Sequence, residues 1–398
     1  MKSTKFIPAL FWGGVLSVGI LLSTTDEVSG LEIGKPGTGI TQGKLVIHPR
    51  LTLRGEYDDN IFLSDRGAED DLIGILIPGV SVELPWDNNY LFLDYQAFLH
   101  YYKDHTDQNH QDHRLQGLCS LVFSPLTLKI EDLFWKTSSR ENTDFSNLVK
   151  RIENTGSIAL LYAANAFELQ GRYKNFYQDY DENSYRPYDH MEHYGILTGF
   201  YQVAPKTKAL IEYTYDRIVY REDRDRDGYY NEVRGGFVGE LASKLTGTAK
   251  VGYQSRQYYD DSVWDDYDGI VGYVLLEQVF SRNSDLRVGW ERSTHESTWE
   301  RNSYYLLNKG WLAYSQQLAH KIRGFARIQY SNYRYPQESA FYGKKRRDDI
   351  WKPEAGIQYQ IQAWLSAEFR YIYKVRDSNL PGKDYQDNRF ILELSATY

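Results

Sequence analysis

A repeat of about 39 residues runs through the chain and restricts its fold more than any other feature. Each repeat contains two runs of alternating apolar and polar residues, joined by a short turn. Short turns are predicted at 85–88, 124–126, 163–165, 204–206, 243–245, 281–285, 318–320 and 362–364. Longer, charged connections are predicted at 58–69, 103–111, 137–149, 178–187, 221–229, 259–265, 295–301, 334–347 and 377–385. Eight turns and nine connections join eighteen strands.

The alternating runs have one apolar face and one polar face. In the run at 91–101, Leu91, Leu93 and Tyr95 alternate with residues that include Asp94 and Gln96, and the runs beginning near 167 and 322 behave alike. The polar face is too charged for a packed protein interior but suits a water-filled lumen. Two runs are less regular: 268–280 is apolar on both faces, and Pro353 is expected to interrupt the strand at 348–362.

These patterns predict an all-β fold, a transmembrane antiparallel up-and-down β-barrel of about eighteen strands, with sixteen strands as the alternative. Short turns on one side and long loops on the other are typical of outer-membrane barrels. A β-propeller also repeats at this length, but it packs four short strands into each blade. Each repeat here reads as two strands long enough to cross a membrane.

The composition agrees with a barrel. Tyrosine supplies 35 of 398 residues and aromatic residues 15%, whereas methionine occurs only twice. Barrels need aromatic girdles at two interfaces together with a polar lumen, and this produces many tyrosines beside many charges. The single cysteine, Cys119, excludes an intrachain disulfide and a cysteine-based metal cluster.

The N-terminal residues resemble a secretory signal. Lys2 and Lys5 precede an apolar stretch at 6–22, and small residues at 28–30 offer a cleavage site; an uncleaved anchor helix is the alternative. We therefore expect a signal peptide at 1–30, a Gly-rich periplasmic lead-in at 31–44 and a barrel at 45–398. The expected location is the bacterial outer membrane, crossed many times, in contact with its lipid and lipopolysaccharide.

Removal of residues 1–30 leaves the net charge at -8, because that segment holds two basic and two acidic residues. A nucleic-acid partner requires a basic domain or stripe, so none is expected.

The C-terminal run carries the most specific motif. Aromatic or apolar residues occupy every second position up to the end of the chain: Phe390, Leu392, Leu394, Ala396 and Tyr398. This pattern resembles the closing-strand signal that the barrel assembly machinery reads, so that machinery is an expected partner. An ordinary amphipathic strand is the alternative interpretation.

A second resemblance lies at the end of the first strand. The residues Tyr57, Asp58, Asp59, Asn60, Ile61 and Phe62 resemble the opening of the putative β-barrel porin families. Members of these families often accompany exopolysaccharide biosynthesis and export systems. The resemblance implies a porin-type barrel, and the lack of a periplasmic helical-repeat domain in this sequence implies separate periplasmic export partners.

Basic residues cluster on the inward positions of the last strands. They are Arg323, Arg327, Arg370, Lys374, Arg376 and Arg389, and barrel closure would add Arg54 from the first strand. Among these strands only Glu368 and Glu393 oppose them. A positive wall would favour anionic solutes or an anionic sugar polymer, since arginine pairs carboxylates and phosphates bidentately. The alternative is a set of compensating ion pairs that stiffens the barrel.

Candidate metal ligands lie in the predicted loops. Asp223, Asp225 and Asp227 match the start of a calcium-binding loop, but Arg234 stands where the bidentate glutamate belongs. Weak calcium binding is one interpretation and a solvated turn the other; no other cofactor is expected. Two histidine groups could also suggest a metal: His105, His110 and His113, and separately His190 and His193.

A catalytic function is not expected. His295, Glu296 and Ser297 are adjacent, but neighbours along one strand do not make a catalytic triad. The predicted function is a channel or export barrel for sugar polymers or other polar, possibly anionic, solutes. A general diffusion porin is the alternative, followed by an outer-membrane enzyme or adhesin. A lumen sealed by loops would favour the gated exporter, and an open lumen the porin.

Overall fold

The structure is a computed structural model that describes residues 39–140, 144, 147–222, 224–260 and 263–398. The predicted signal peptide and the first part of the lead-in lie outside these residues. In the described part of the chain, no helix is both long enough and apolar enough to span a membrane.

Among the described residues, one short strand precedes eighteen long ones. The short strand, β1, is Ile40–Gln42. The long strands are β2 (Leu45–Asp58), β3 (Asp71–Trp86), β4 (Asn89–Tyr102), β5 (His110–Phe123), β6 (Leu126–Thr137), β7 (Arg151–Ala164), β8 (Phe167–Tyr180), β9 (His190–Ala204), β10 (Thr207–Tyr220), β11 (Gly228–Ala242), β12 (Leu245–Tyr258), β13 (Tyr267–Ser281), β14 (Ser284–Glu296), β15 (Tyr304–Ala319), β16 (Ile322–Glu338), β17 (Lys345–Gln362), β18 (Leu365–Ser378) and β19 (Tyr385–Thr397). Single 3-10 turns occur at Thr106–Gln108, Arg186–Tyr188 and Arg224–Arg226.

The eighteen long strands form a closed antiparallel barrel. Each pairs with its neighbours in sequence, and β19 pairs with β2 from Arg389↔Asp58 to Thr397↔Arg50. Closure leaves the long strands without a free edge to pair with other chains. The predicted eighteen-strand barrel is confirmed, and the sixteen-strand alternative is excluded.

The eight predicted short turns all join strands at one end of the barrel, and the nine longer connections lie at the other. Three turns use a non-glycine residue with positive φ, at Asp87 (52°), Asn165 (53°) and Lys244 (60°). Asp and Asn tolerate this left-handed conformation better than most residues. We call the long-loop end the outer end and the short-turn end the periplasmic end, following the asymmetry of outer-membrane barrels.

The two faces of the wall differ as the alternation predicted. Phe390, Leu392, Leu394 and Tyr398 of the closing segment are exposed on the outside of the barrel, as are large apolar side chains on the other strands. The intervening positions face the lumen and are mostly polar. The alternation therefore produces a lipid-facing surface outside and a charged wall inside.

Pro353 does not interrupt its strand, contrary to the prediction. β17 runs unbroken from Lys345 to Gln362, with Pro353 opposite Ile328 of β16. The pairing of β17 with β18 instead skips two positions, between Trp351↔Val375 and Glu354↔Ile372. A proline has no backbone N–H to donate to a ladder hydrogen bond, and the pairing with β18 is lost only over these two positions.

The lead-in contributes one structural feature at the periplasmic rim. Ile40–Gln42 pairs with 45–47 of β2, below the point where β19 ends its own pairing at Arg50. The short strand thus occupies the part of the β2 edge that the closing strand leaves uncovered.

Candidate functional site

The lumen is the natural place for function. Eighteen strands spaced about 4.8 Å apart and tilted by about 40° enclose a space roughly 30–35 Å across between backbones. Barrels of this size contain an aqueous channel unless something fills it. The site therefore consists of the wall and whatever narrows the mouth.

The predicted basic wall lies on the inward face, but acidic side chains accompany it. Arg54 donates to Glu393 at 3.0 Å across the barrel closure. Arg323 contacts Asp285 of β14 at 2.6 Å and also donates to the Ser315 hydroxyl at 2.6 Å. The first contact joins neighbouring strands, whereas the contact with Asp285 passes over β15 on the lumen side. These two cations are therefore neutralised locally.

The same holds for Arg370 and Arg389. Arg370 lies 2.9 Å from Glu368 and 3.4 Å from Glu354. Arg389 lies 2.8 Å from Asp387 and 3.4 Å from Asp58, at the seam where β19 meets β2. Arg370 thus faces two carboxylates, and Arg389 faces three, because Glu56 also lies 3.7 Å from it.

The other three cations of the wall lie over aromatic rings. Arg327 is 4.9 Å from the ring centre of Trp311. Lys374 and Arg376 lie 5.6 Å and 4.5 Å from the ring centre of Tyr385. Arg376 also donates to the carbonyl of Lys383 in the last outer loop. Cation–ring contacts leave the positive charge in place but hold each side chain against the wall.

Together these contacts describe a network of paired charges and not a uniformly positive surface. On the strands at 320–331, 363–376 and 386–398, only Glu368 and Glu393 were expected to oppose the cations. Four further acids were not predicted to oppose them: Glu354 on β17, adjacent to the strand of Arg370; Asp285 on β14, two strands from Arg323; and Asp58 and Asp387 near the outer ends of β2 and β19.

The first outer loop folds against the inner wall. Ile61 is buried with Ile73, Ile75 and Ile77 of β3, and Phe62 packs against the same group. The three β3 isoleucines occupy inward positions, because Ile73 is opposite Glu56 of β2. Exposure of this apolar patch to a water-filled lumen would cost free energy, and the loop covers the patch.

The outer end of β14 leaves the wall. Its pairing with β13 ends at Gly272↔Arg292, whereas its pairing with β15 continues to Glu296↔Tyr304. The Thr294 hydroxyl donates to Gln254 at 2.6 Å and accepts from Arg256 at 2.8 Å; both partners belong to β12. Thr294 can reach β12 only by passing over the lumen side of β13. The tip of the β14–β15 hairpin therefore lies inside the mouth of the barrel.

The loop at this tip, 297–303, is the point where other outer loops meet; we call it the gate loop. Gln337 donates its backbone N–H to Asn302 at 2.9 Å, and Ser339 donates to Glu300 at 2.8 Å. Ser303 donates to the carbonyl of Asp265 at 3.1 Å. Ser297, Asn302 and Ser303 are almost fully buried, although they belong to a loop.

Arg226 holds both ends of the gate loop. Its guanidinium donates to the carbonyls of Ser297, Asn302 and Ser303, the last two at 3.2 and 3.0 Å. The rings of Tyr220, Trp264 and Tyr188 surround it at 4.7, 5.2 and 5.4 Å. Arginine suits this position because its planar fork can serve several carbonyls while its faces pack on aromatic rings.

A second arginine clamps the gate loop from the opposite side. Arg346 lies between the rings of Trp299 and Tyr335, at 4.4 and 4.9 Å. It is buried and pairs with Asp348 at 2.7 Å and Asp144 at 3.4 Å. The ammonium group of Lys383 also lies 4.6 Å from the ring centre of Trp299. Burial lowers the pKa of Lys383, and the nearby charges of Arg346 and Arg376 lower it further.

Asp144, which belongs to the connection between β6 and β7, contacts this clamp. β6 and β16 are ten strands apart counted through β11 and eight apart counted through β2, so they lie nearly opposite each other. Asp144 of this connection accepts from the backbone N–H and hydroxyl of Thr298 at 2.9 and 3.0 Å, and from the hydroxyl of Tyr335 on β16. Asp144 therefore lies on the far side of the mouth from β6, in contact with β16 and the gate loop.

The calcium prediction stays a prediction. Asp223 lies outside the described residues, and Asp225 is in the 3-10 turn Arg224–Arg226. Asp227 is buried and accepts the backbone N–H of Tyr220 at 2.6 Å, a local contact that orders the loop. These observations place the residues without testing a bound ion.

The histidines named in the sequence analysis lie apart from one another. His105 contacts Asp71 and Glu69 at 2.9 and 2.8 Å, and hydrogen bonds to these two carboxylates raise its pKa. His113 and His193 point outward and contact Tyr95 and Tyr173. His110 lies on the inner face instead, stacked on His100.

The adjacent His295, Glu296 and Ser297 do not form a triad in this structure. The Ser297 hydroxyl donates to Asp144 at 3.2 Å, and the His295 ring contacts Ser293 at 2.9 Å. Glu296 accepts from Arg256 and Tyr258. Glu296 and Ser297 therefore help to attach the hairpin tip, whereas His295 contacts residues of the hairpin itself.

Comparison with known proteins identifies the class. The family model "Putative beta-barrel porin 2" matches residues 35–398. The comparison with curated proteins found no match.

Several solved porins are similar in fold. A BenF-like porin from Pseudomonas fluorescens Pf-5 is 11% identical, with 88% of this chain and 99% of that chain covered and a TM-score of 0.51. OpdK from Pseudomonas aeruginosa is 13% identical, with 88% and 99% covered and a TM-score of 0.49. The family match extends over almost the whole sequence, and the closed eighteen-strand barrel agrees with it. The chain thus belongs to the putative β-barrel porin 2 family and is a porin-type barrel of the outer membrane.

Proposed function

We propose that the protein is a gated outer-membrane channel for polar solutes, with sugar polymers as its principal cargo. The observation that carries this proposal is the position of the gate loop. It lies inside the barrel mouth, and Arg226 and Arg346 hold it there from two sides. A loop fixed in this way obstructs diffusion, so transport requires that the loop move.

The outer part of β13 that does not pair with β14 offers the β14–β15 hairpin a second position, on the barrel wall. If the β13–β14 ladder continued beyond Gly272↔Arg292 in the same register, Thr294 would come to lie opposite Ile270. The hairpin tip would then return to the wall and the mouth would widen. Exchange between two discrete packings, one in the lumen and one on the wall, is the kind of bistable element that gates a channel.

The cargo proposal rests on the character of the wall. Inward positions carry large aromatic side chains among the paired charges, including Trp135 on β6, Tyr273 on β13 and Trp311 on β15. Aromatic faces pack on the C–H faces of sugar rings, while charged and polar groups exchange hydrogen bonds with hydroxyls. Because the cations are paired with acids, this wall suits neutral polar polymers as well as anionic ones.

A solute-flux experiment separates this proposal from the general diffusion porin. We expect liposomes containing the purified protein to admit neutral glucose oligomers slowly, with short and long oligomers similarly restricted, because the gate limits entry. The control is liposomes without protein. Rapid, constitutive uptake that falls smoothly with solute size would contradict a gate and favour the diffusion porin.

The paired wall also predicts the ion preference. We expect weak selectivity in the wild type, because each of Arg54, Arg323, Arg370 and Arg389 has an acidic neighbour. Changing Arg370→Glu would place a carboxylate beside Glu354 and Glu368. Charges in a narrow lumen set selectivity, so we expect cation preference to rise severalfold in reversal-potential measurements under a salt gradient.

The matched control for this charge reversal is Arg370→Gln, which removes the cation without adding an anion. It should give an intermediate shift. A strong anion preference in the wild type, or an unchanged reversal potential in folded Arg370→Glu, would show that this part of the wall does not line the conducting path as described.

A further inference from the structure

Two histidines and an aspartate meet on the lumen side of the β4–β5 hairpin. His100 and His110 are directly opposite each other in the ladder, and Asp112 follows two positions later on the same face. One potential ligand atom of each lies within 4.8 Å of the others. The imidazole rings stack, with centroids 4.1 Å apart and planes 16° apart.

Neighbouring groups orient two of these ligands. The Nδ1 atom of His110 lies 2.7 Å from the carbonyl of Gln108, and this contact directs Nε2 towards the cluster. Nε2 is 3.9 Å from Oδ2 of Asp112, too far for a hydrogen bond. Oδ1 of Asp112 accepts the backbone N–H of Ser138 at 2.8 Å. Metal-binding histidines and carboxylates are commonly fixed by such second contacts.

The ligand set selects a class of metal. Two imidazole nitrogens and one carboxylate oxygen suit zinc and similar transition ions, whereas calcium and magnesium prefer oxygen ligands. Zinc bonds of about 2.0–2.1 Å require ligand atoms about 3.3 Å apart in a tetrahedral site. Rotation of the His100 ring about its Cβ–Cγ bond, with the contact between His110 Nδ1 and Gln108 kept, would bring its nitrogen towards the other two ligand atoms and leave a fourth position for water.

We propose that His100, His110 and Asp112 form a binding site for zinc on the lumen wall. The site lies at the start of the β6–β7 connection, since Asp112 also binds Ser138 and Ser138 directly follows β6. Bound zinc would fix Asp112 and thereby the start of that connection. The site is independent of the calcium loop considered above and uses only His110 of the histidines named there.

Zinc titration of the folded, detergent-solubilised protein tests this site. After metal has been stripped with a chelator, calorimetry should detect one specific zinc equivalent. We expect His110→Ala and Asp112→Asn each to weaken binding by at least about tenfold. Cobalt substitution should give the visible absorption of a tetrahedral ion in the wild type and not in the variants.

The matched control is His193→Ala, which removes an outward histidine that contacts Tyr173. It should bind zinc like the wild type. Heat-modifiable mobility confirms that each variant is folded. If His110→Ala does not fold, Asp112→Asn still tests the site, because asparagine preserves the size of the side chain. Equal zinc affinity in the wild type and folded Asp112→Asn, or loss of affinity in His193→Ala alone, would overturn the proposed site.

Discussion

Replacing Arg226 with glutamine is expected to raise the open probability of the channel by at least about tenfold. Arg226 is buried and donates to three carbonyls of the gate loop. A buried polar group left without a partner costs roughly 1–3 kcal/mol, and about 1.4 kcal/mol corresponds to a tenfold change in an equilibrium. The carbonyls regain partners when the loop reaches water, so the substitution favours the displaced loop.

Single-channel recording in planar bilayers measures this effect. The matched control is Arg221→Gln in the same connection, whose exposed side chain pairs with Asp179 at 3.2 Å. Exposed ion pairs contribute little, so the control should behave like the wild type. Equal open probabilities for Arg226→Gln, Arg221→Gln and the wild type would show that Arg226 does not restrain the gate.

Deleting Phe390–Tyr398 is expected to abolish assembly. This segment contains most of the residues that pair β19 with β2, and its removal would leave β2 and β18 with unpaired edges. Open edges cannot be tolerated in a bilayer, because their backbone groups have no hydrogen-bond partners. The folded, heat-modifiable form should be absent from outer-membrane fractions.

Single substitutions at Tyr398 refine this test. Tyr398→Phe keeps the terminal aromatic ring and should assemble normally, whereas Tyr398→Asp should reduce the folded fraction severalfold. Normal assembly of the deletion variant would refute the role of the segment. Equal loss in Tyr398→Phe and Tyr398→Asp would refute a requirement for an aromatic terminus.

The barrel could be predicted from sequence because the patterns that specify its strands and turns are local in sequence. The alternation at 91–101 and its equivalents specifies each strand and its two faces, and the turns specify where strands end. The prediction that Pro353 interrupts its strand was wrong, because the sequence does not reveal whether the neighbouring strand can leave a local gap in the hydrogen-bond ladder beside a proline. β18 makes that adjustment in the folded barrel.

The charge network was only partly predictable. Alternation shows that Arg323 and Arg370 face the lumen, but it does not show which acids reach them. Asp285 lies 38 residues from Arg323 in sequence and meets it across an intervening strand. Pairings of this kind depend on strand order and stagger, which periodicity alone does not supply.

The connection at 295–301 was predicted, but its position inside the barrel mouth was not. Its contacts join residues far apart in sequence, such as Arg226 with Ser297 and Asp144 with Tyr335, separated by 71 and 191 positions. One local signal was present: alternation fades after Trp290, where polar residues occupy successive positions up to Thr298. Such a stretch suggests a strand end leaving the wall but does not reveal where it goes.

The central claim is that the gate loop closes the outer mouth, and two engineered crosslinks test it in opposite directions. In a Cys119→Ser background, Asp144→Cys with Ser297→Cys should tie the loop in the lumen. Ile270→Cys with Thr294→Cys should instead trap the hairpin on the wall. A short thiol-reactive crosslinker can be used where a direct disulfide does not form.

The decisive measurement is the single-channel current of both pairs before and after crosslinking. We predict that the first crosslink suppresses openings and the second produces a large, sustained conductance, each restored by reductant where a disulfide was formed. Identical currents in the two crosslinked proteins, both equal to that of the uncrosslinked chain, would contradict a gate at this loop.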